Sequence, residues 1–540
     1  MNDEPGVTWR DWGEAAFADA GRTDRPVLLS VTATWCAPCH EMDAETYTDP
    51  RVVAAVEDGF VPVRVDADRR PRVRERYTTG GFPTTAFLTP DGRVIASAGA
   101  LGPEGMWQVL ERVRETWTEK GAEAGRVPRA LADESPPAGD VTPAVEEHLA
   151  GQLSAQYDDR YAGWGTDAKF PLPRTVEFAL KRERELALRS LDAVRDHLFD
   201  DVDGGFFRFA ERRDWGGVHH EKTLDANAAL LRAFANAYLY TGEAAYLDPV
   251  EATTDFLVER LWNGAAFGGS LGPGGGREYY ALDADERAAE PGPRTDLTAF
   301  AGANALAADA LLTHYAYTDD ERAREYAERT LDALDRLVAA DGTVAHARGD
   351  DAPAGVLADQ ARVAGAFASA GEALGDPWPT RARTVADATL DLQDDTGAFR
   401  DGPGGSVGML DRPFRPIDGT VEAAEALCDV AALSGEPAYR ERAREAVAAF
   451  AGAYERFGVQ VAGYGSVVSR LCAGAPVVAV ADEPGSTLHR AALRVADHET
   501  VVRPGAEGPT GTARVRREGD GAWSEPAATP DELMERIGSL

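Results

Sequence analysis

The sequence predicts an α/β domain at the N-terminus, an all-α domain that closes into an (α/α)6 toroid, and a small α/β segment at the C-terminus. Three observations lead to this fold class. Strand-like and helix-like runs alternate over residues 1–118, helices follow one another over 143–475, and mixed character returns over 476–540. Residues 119–142 are rich in Ala, Gly, Pro and Glu and are predicted to be a linker.

Short apolar runs and a turn signal define the N-terminal α/β domain. Residues 26–32 and 60–66 are rich in β-branched residues and are predicted to be buried strands. A Pro-Asp-Gly turn at 90–92 separates two further strand-like runs, which predicts a hairpin. The predicted order is strand 26–32, helix 41–57, strand 60–66, hairpin strands 84–88 and 93–96, and amphipathic helix 105–118.

Repeated helical hairpins predict the all-α domain. The segments 240–246 and 433–439 resemble each other and mark hairpin turns, and glycine loops recur between the hairpins. Six hairpins closed into a ring form a toroid whose inner helices converge on a funnel, and an open helical solenoid is the alternative. The clearest helices are 224–240, 244–261, 296–315, 320–339, 356–374, 379–392, 420–433 and 438–454.

The C-terminal segment returns to mixed character. Residues 476–480 and 512–516 are predicted to be strands, and residues 486–495 and 530–537 are predicted to be helical. The last helix is opened by Thr529-Pro530-Asp531-Glu532, a typical helix start.

The composition excludes several classes of partner. Asp plus Glu number 91 against 56 for Lys plus Arg, which gives a net charge of −35. Such a surface repels phosphates and anionic lipids, so neither nucleic acid nor a membrane is an expected partner. The N-terminus lacks the apolar core of a secretory signal, and no apolar run approaches the roughly 20 residues that span a bilayer. With four cysteines, the expected location is cytoplasmic.

The basic residues are strongly skewed toward arginine. Lys120, Lys169, Lys181 and Lys222 are the only lysines. Dense carboxylates with scarce lysine suit a halophilic protein, because molar salt screens charges beyond about 3 Å. The alternative is an ordinary acidic protein in which codon bias replaces Lys by Arg, but codon bias does not explain the excess of Asp and Glu.

Two cysteines separated by two residues carry the clearest chemistry. Cys36 and Cys39 follow a predicted strand and open a helix, whose dipole stabilises a thiolate. We predict that Cys36 is the nucleophile and Cys39 the resolving thiol of a redox-active disulfide, with no other cofactor. Pro83 precedes a later strand and is expected to be cis and to face the disulfide. Half of a zinc site is the alternative, but the chain has no second such pair and no metal is expected.

The order of strand, cysteine pair, helix and Phe82-Pro83-Thr84 resembles the thioredoxin fold over nearly all of residues 1–118. The sequence departs from thioredoxins at Ser30, where they carry a buried Asp that assists proton transfer, and at His40, where Lys is common. The resemblance implies a redox-competent pair with slower proton transfer or a shifted potential, and a vestigial site is the alternative. Cys428 and Cys472 lie in apolar runs and are expected to be buried and inert.

Motifs spread along the chain carry a second resemblance. They lie at residues 39–42, 65–71, 81–92, 168–171, 204–208, 219–224, 282–285, 476–481 and 529–533. Together they are similar to the spermatogenesis-associated protein 20 family, which joins a thioredoxin-like domain to a six-hairpin glycosidase-like toroid, and the acidic composition indicates a haloarchaeal-type member. The resemblance implies the fold but no reaction. The tail around Ala513 lacks the cysteines that the family often carries there, which argues against a thiol relay.

Charged residues before one inner helix form the candidate site of the toroid. His219, Glu221, Lys222 and Asp225 cluster around the start of the helix near residue 224, and Arg208 is close in sequence. In six-hairpin folds that act on sugars the funnel holds acid and base groups, so His219 and Glu221 are predicted to pair in these roles. A structural, salt-bridged helix start is the alternative. The residues expected to reach the same rim are Asp283, Asp285, Asp359 and Glu422.

Three functions are compatible with these features. The first is a thiol–disulfide oxidoreductase whose toroid recognises a glycan or protein client, with a disulfide-containing client or a reductase as partner. The second is a sugar-active enzyme, epimerase- or hydrolase-like, with a carbohydrate ligand and a redox-sensing front domain. The third is a non-catalytic interaction scaffold. We favour the first, because its chemistry rests on a motif with a defined mechanism.

Lowering the salt concentration from molar to tens of millimolar is expected to unfold the protein, because unscreened carboxylates repel one another. Circular dichroism during stepwise dialysis measures the loss of helix, and return to molar KCl should restore it. A spectrum that stays unchanged at low salt would contradict the halophilic interpretation.

Overall fold

The computed structural model describes residues 6–132, 135–405 and 407–540, which divide into two units. The first unit takes in the described part of Met1–Glu134 together with Asp401–Phe414, and the second takes in the described part of Ser135–Arg400 and Arg415–Leu540. The predicted fold class is confirmed, because the first unit is an α/β sheet domain and the second is a helical toroid with a small α/β segment. Within these ranges, no helix is long and apolar enough to cross a membrane.

The first unit is built on a five-stranded mixed sheet. Its elements are β1 Arg10–Asp11, α1 Glu14–Thr23, β2 Val27–Thr32, α2 Ala37–Glu41, α3 Pro50–Gly59, β3 Val61–Asp66, α4 Pro71–Tyr77, β4 Thr84–Leu88, β5 Val94–Ala98 and α5 Pro103–Lys120. The strand order is β1-β3-β2-β4-β5. β3 runs parallel to β1 and β2, whereas β4 runs antiparallel to β2 and β5. Two apolar clusters contain the buried side chains of this unit.

The single helix predicted over 41–57 is two helices, so that prediction was wrong. A wide π-helical turn, Met42–Thr46, continues α2, and the helix ends before Pro50. The Asp49 side chain accepts hydrogen bonds from the backbone N–H groups of Arg51 and Val52 and so caps α3. Proline at the first helical position lacks an N–H, which suits a helix start and not a helix interior.

The stretch after α5 packs into the first unit over most of the predicted linker. Arg126 forms an antiparallel bridge with Val94 next to β5. Leu131 is 2% exposed and joins an apolar cluster of this unit. The chain enters the second unit at Ser135.

Asp401–Phe414, which we call the inserted segment, completes the first unit although it lies far along the chain. Asp401 is buried and accepts hydrogen bonds from the guanidinium groups of Arg72 and Arg76 on α4. The hydroxyl of Tyr77 accepts a hydrogen bond from the backbone N–H of Met409 at 3.0 Å. The Met409 side chain is 1% exposed and belongs to the apolar cluster that also contains the cysteine pair.

The second unit consists mainly of helices. Its helices are α6 Pro143–Ala155, α7 Pro173–Arg182, α8 Arg184–Leu198, α9 Leu224–Thr241, α10 Ala244–Phe256, α11 Arg277–Tyr280, α12 Ala284–Ala289, α13 Ala301–Thr318, α14 Glu321–Asp335, α15 Leu357–Leu374, α16 Trp378–Leu390, α17 Ile417–Ser434, α18 Pro437–Ala451, α19 Gly463–Ala473, α20 Thr487–Leu493 and α21 Pro530–Gly538. Its strands are β6 Phe209–Ala210, β7 Val218–His219, β8 Lys222–Thr223, β9 Ser270–Leu271, β10 Thr295–Asp296, β11 Pro476–Ala481, β12 Val501–Arg503 and β13 Thr512–Arg517.

Six of these helices form a closed inner ring. Contacts run from α7 to α9, α13, α15, α17 and α19 in turn, and α19 returns to α7. The outer partners of these six helices are, in the same order, α8, α10, α14, α16, α18 and α6. The contact between α19 and α7 distinguishes this toroid from the open solenoid. Because inner and outer helices alternate along the chain, all inner helices begin at one end of the ring, which we call the rim.

The C-terminal segment forms a small sheet in the order β12-β11-β13. β11 runs parallel to β12 and antiparallel to β13. Val478, Val480, Leu488 and Leu533 belong to an apolar cluster shared by this sheet, α20 and α21. The two strands and two helices predicted for this segment are present, and β12 is an additional strand that the sequence did not predict.

Replacing Asp401 by Asn is expected to destabilise the first unit by about 3–5 kcal/mol, because the fully buried Arg76 loses its counter-charge. Hydrogen exchange of the α4 amides in the full chain measures this local loss. Asp411→Asn is the matched control, since Asp411 is exposed in the same inserted segment. Equal α4 protection in the two variants would show that the ion pair does not hold the segment.

Candidate functional site

The cysteine pair lies at the junction of β2 and α2. Cys36 and Cys39 form a disulfide, with their Cα atoms 5.3 Å apart. Cys36 caps α2, and its Sγ accepts a hydrogen bond from the backbone N–H of Cys39 at 3.1 Å. Both side chains are 3% exposed. After reduction, a sulfur in this position receives the unpaired N–H groups of the helix start, which favours its thiolate form.

A proline loop and a tryptophan flank the same end of the sheet. The Phe82–Pro83 peptide bond is cis, as the sequence predicts for Pro83. Thr84 pairs with Val31, so this loop lies at the end of β2 that leads to Cys36. Trp35 packs edge-to-face against Phe82, with ring centroids 5.2 Å apart.

Polar groups near the motif differ from the thioredoxin pattern. Ser30 is buried in place of the thioredoxin Asp, and Tyr47 Oη lies 2.8 Å from Thr85 Oγ1. Burial raises the pKa of Tyr47, so its hydroxyl stays neutral. Asp66 accepts a hydrogen bond from Thr34 Oγ1 at 3.2 Å, and burial raises the pKa of its carboxyl. Sequence reasoning missed Asp66, because its partner Thr34 lies 32 residues earlier, in the loop between β2 and α2.

The Trp35 ring is fixed by a second carboxylate that sequence reasoning missed. Its Nε1 donates to Asp68 Oδ2 at 2.8 Å. Asp68 follows β3 in the 65–71 motif, so the motif has a structural role beside the cysteine pair.

His219, Glu221 and Arg208 come together at the rim, and Glu211 joins them. His219 Nε2 lies 2.9 Å from Glu211 Oε1, and its Nδ1 lies 3.5 Å from Glu221 Oε1. Arg208 donates to Glu221 at 3.2 Å. The hydrogen bond with Glu221 raises the pKa of His219. Burial works to raise the pKa of Glu221, but His219 and Arg208 lower it overall. Both shifts favour the ion pair of a protonated His219 and an ionised Glu221.

Lys222 has separate surroundings from this cluster. Its Nζ is fully buried and donates to Asp200 Oδ2 at 2.7 Å and to the Gly204 carbonyl at 2.5 Å. Arg287 also donates to Asp200, at 2.9 Å. Burial lowers the pKa of Lys222 to about 8. These contacts give Lys222 a structural role in a buried ion cluster.

The remaining carboxylates predicted for the rim are dispersed. Asp225 is exposed in the first turn of α9, where its charge acts on the Arg362 guanidinium. Asp283 caps α12 by accepting the Glu286 backbone N–H at 2.9 Å, and Asp285 is exposed in the first turn of this helix. Asp283 is therefore engaged as a helix cap.

Paired charges line the axis of the ring, and of those described below the sequence predicted only Glu422 as a site residue. Arg232 donates to Glu177 at 2.8 and 2.7 Å and to Asp309 at 2.6 Å. Arg362 donates to Glu422 at 2.8 and 3.0 Å. A cavity of about 220 Å³ lies among the six inner helices beside the first of these groups. The signal in the sequence was a stripe of acidic residues three or four apart on α17, namely Asp418, Glu422, Glu425 and Asp429.

The other two cysteines differ in exposure. Cys428 is fully buried, which raises the pKa of its thiol to about 12 and keeps it inert. Cys472 is exposed in the last turn of α19, so the prediction that it is buried was wrong. Across the described ranges, no three His, Cys, Asp or Glu side chains group in a way that could hold a metal ion.

The fold and the cysteine site together define the class of protein. A sheet of this order, a disulfide at a helix start and a cis proline define a thioredoxin-like unit, and the closed ring of paired helices defines a six-hairpin toroid. Residues 1–134 match the family Thioredox_DsbH, described as a protein of unknown function, DUF255.

Parts of this chain are similar in sequence to known proteins. Spermatogenesis-associated protein 20 of Homo sapiens is 29% identical over 298 residues, which are 47% of this chain and 37% of that protein. The resemblance drawn from the motifs is thus confirmed, although the chain spans little more than a third of that relative's length. The thiol:disulfide interchange protein DsbD of Ralstonia nicotianae is 35% identical over 82 residues, 15% of this chain and 14% of that protein.

Solved structures resemble the second unit. A D-mannose isomerase has a TM-score of 0.47 at 12% identity and covers 61% of this chain and 98% of its own. Cellobiose 2-epimerase of Spirochaeta thermophila has a TM-score of 0.44 at 18% identity, with coverages of 56% and 84%. The toroid itself is established by the closure of its inner helices.

Glu221→Gln is expected to lower the pKa of His219 toward the ordinary histidine value, because the hydrogen bond to Glu221 is the main cause of its rise. A raised pKa stabilises the fold below the pKa of the unfolded chain, and this stability is lost as the pH rises through the folded pKa. The variant should therefore lose stability mainly at acidic pH.

An NMR titration of the imidazole measures this change, with His219→Asn identifying the resonance. Glu211→Gln is the control and should have a smaller effect, since Glu211 is largely exposed. If the pKa of His219 were unchanged in Glu221→Gln, Glu221 would not control the protonation of His219.

Proposed function

We propose that this chain is a thiol–disulfide oxidoreductase whose toroid recognises the client. The observation that carries the proposal is Cys36 at the start of α2, disulfide-bonded to Cys39 and adjacent to a cis-proline loop. An unpaired helix start favours a thiolate at Cys36, and a thiolate is the attacking species in disulfide exchange. The cytoplasm is the proposed location, and a reductase or a small dithiol is the proposed electron donor.

The disulfide exchange proceeds in two steps. The Cys36 thiolate attacks one sulfur of the client disulfide, forming a mixed disulfide while the other client sulfur leaves as a thiolate and takes a proton. Cys39 then loses its proton and attacks the Cys36 sulfur, which breaks the mixed disulfide and releases the second client thiol. The client gains two electrons, and the Cys36–Cys39 disulfide is restored until the electron donor reduces it.

Ser30 influences the second step. A serine hydroxyl is a poor acceptor for the Cys39 proton, whereas a carboxylate in that position would take it readily. The second attack is therefore expected to accelerate as the pH rises toward the ordinary thiol pKa of about 8.5. The proposed activity thus favours mildly alkaline conditions.

Reduction of insulin disulfides by the full chain, with dithiothreitol as donor, tests the proposal. Cys36→Ser is expected to reduce the rate to background, because the attacking thiolate is gone. Cys39→Ser is expected to stop turnover and to trap mixed disulfides that appear on non-reducing gels. Cys472→Ser is the matched control, since Cys472 is an exposed free thiol outside the pair.

Two results would overturn the assignment. Faster alkylation of Cys39 than of Cys36 in the reduced protein would reverse the two roles. Absence of insulin reduction by the wild-type chain, with both thiols unreactive, would indicate a vestigial pair.

A further inference from the structure

Three aromatic rings form an exposed stack in the second unit. The ring of Phe170 stacks on that of Phe209, with centroids 4.6 Å apart and planes 9° apart. The ring of His219 stacks on Phe209 as well, at 4.1 Å and 16°. Two rings this close and this parallel fit only on opposite faces of Phe209. Phe170 is therefore the end of the stack, and it is 46% exposed.

The stack lies at the rim. Phe170 is in the loop that enters α7, and the β6–β7 hairpin, which carries Phe209 and His219, precedes α9. Both α7 and α9 are inner helices, and all inner helices begin at this end of the ring. A ligand on Phe170 would thus lie at the entrance to the toroid.

We propose that this aromatic stack binds the ring of a neutral sugar, so that the client recognised in the proposed function is a glycan. This inference rests on the recognition role given there to the toroid. A pyranose presents C–H groups on one face and hydroxyl groups around its edge. An exposed aromatic face bordered by hydrogen-bonding side chains matches that distribution, and an exposed ring of this size is otherwise unfavourable in water.

Polar groups border the stack. Glu211 is 62% exposed and pairs with His219 Nε2 at 2.9 Å. The Arg208 guanidinium lies 5.5 Å from the centroid of the Phe209 ring and is 31% exposed. A carboxylate accepts a hydrogen bond from a sugar hydroxyl, whereas a guanidinium donates one to it. A purely apolar protein surface would have to desolvate these charges, which disfavours it as the occupant.

The charges beside the stack narrow the class of sugar to uncharged ones. Arg208 pairs with Glu221 and His219 pairs with Glu211, so neither cation is left over for a phosphorylated, sulfated or uronate sugar. The neutral hexopyranoses and their oligosaccharides remain as the matching class.

Saturation-transfer NMR with the full chain tests this binding, using the methyl glycosides of glucose, galactose and mannose and their disaccharides as probes. We expect the saturation-transfer signal to be strongest for the ring C–H protons on one face of the sugar. Phe170→Ala is expected to weaken the affinity roughly 3- to 10-fold, the range of one aromatic contact. Phe170→Trp should retain or improve it. Trp107→Ala is the matched control, because Trp107 is a 36% exposed aromatic on α5, outside the stack.

The outcomes separate this inference from the proposed function. Cys36→Ser should keep full sugar binding, and Phe170→Ala should keep full insulin reduction, since each change leaves the other site intact. Absence of transfer to every sugar, or wild-type affinity in Phe170→Ala, would overturn the inference without touching the cysteine chemistry. A third outcome is that the protein binds no sugar but binds an apolar dye, and that Phe170→Ala abolishes the dye binding. This outcome would assign the stack to an apolar partner and would also overturn the inference.

Discussion

Ion pairs between the inner helices fix how the toroid closes. Arg232 on α9 reaches Glu177 on α7 and Asp309 on α13, so one guanidinium holds three neighbouring helices in register. Without Arg232, the buried Glu177 carboxylate would lose its counter-charge, which costs more than the pair contributes. Arrangements of the helices in which these charges do not meet are therefore less stable. Arg470 extends the same constraint to the C-terminal segment, through two hydrogen bonds to Glu518 at 3.0 and 2.8 Å.

Features encoded over short distances in the chain were predictable. The two cysteines are separated by two residues at the start of one helix, so their pairing follows from local geometry alone. Strand 84–88 and four of the six inner helices, α9, α13, α15 and α17, follow from apolar periodicity, which needs no knowledge of partners. The break between α2 and α3 was also local, in Asp49 and Pro50, but the polar character of 41–57 concealed it.

The parts that depend on distant partners could not be predicted. Arg232 and Glu177 are 55 residues apart, and neither sequence position indicates the other. The candidate rim site was drawn as one cluster because its members are close in sequence. The chain there runs as short strands, whose neighbouring side chains point to opposite faces, and this separates Lys222 from Glu221. Glu211 meets His219 across the β6–β7 hairpin, and Phe170 reaches the Phe209 ring from the loop before α7, which sequence spacing does not reveal.

The inserted segment sets the order in which the protein can mature on the ribosome. Asp401 is synthesised 325 positions after Arg76, whose guanidinium it neutralises in the interior. At 5–20 residues per second, that interval is roughly 15 to 65 seconds. During this time the nascent thioredoxin-like unit must keep Arg76 hydrated and its apolar cluster incomplete. The unit translated first is thus finished only after most of the toroid has emerged, so completion of the thioredoxin-like unit requires that the chain as far as Phe414 has been made.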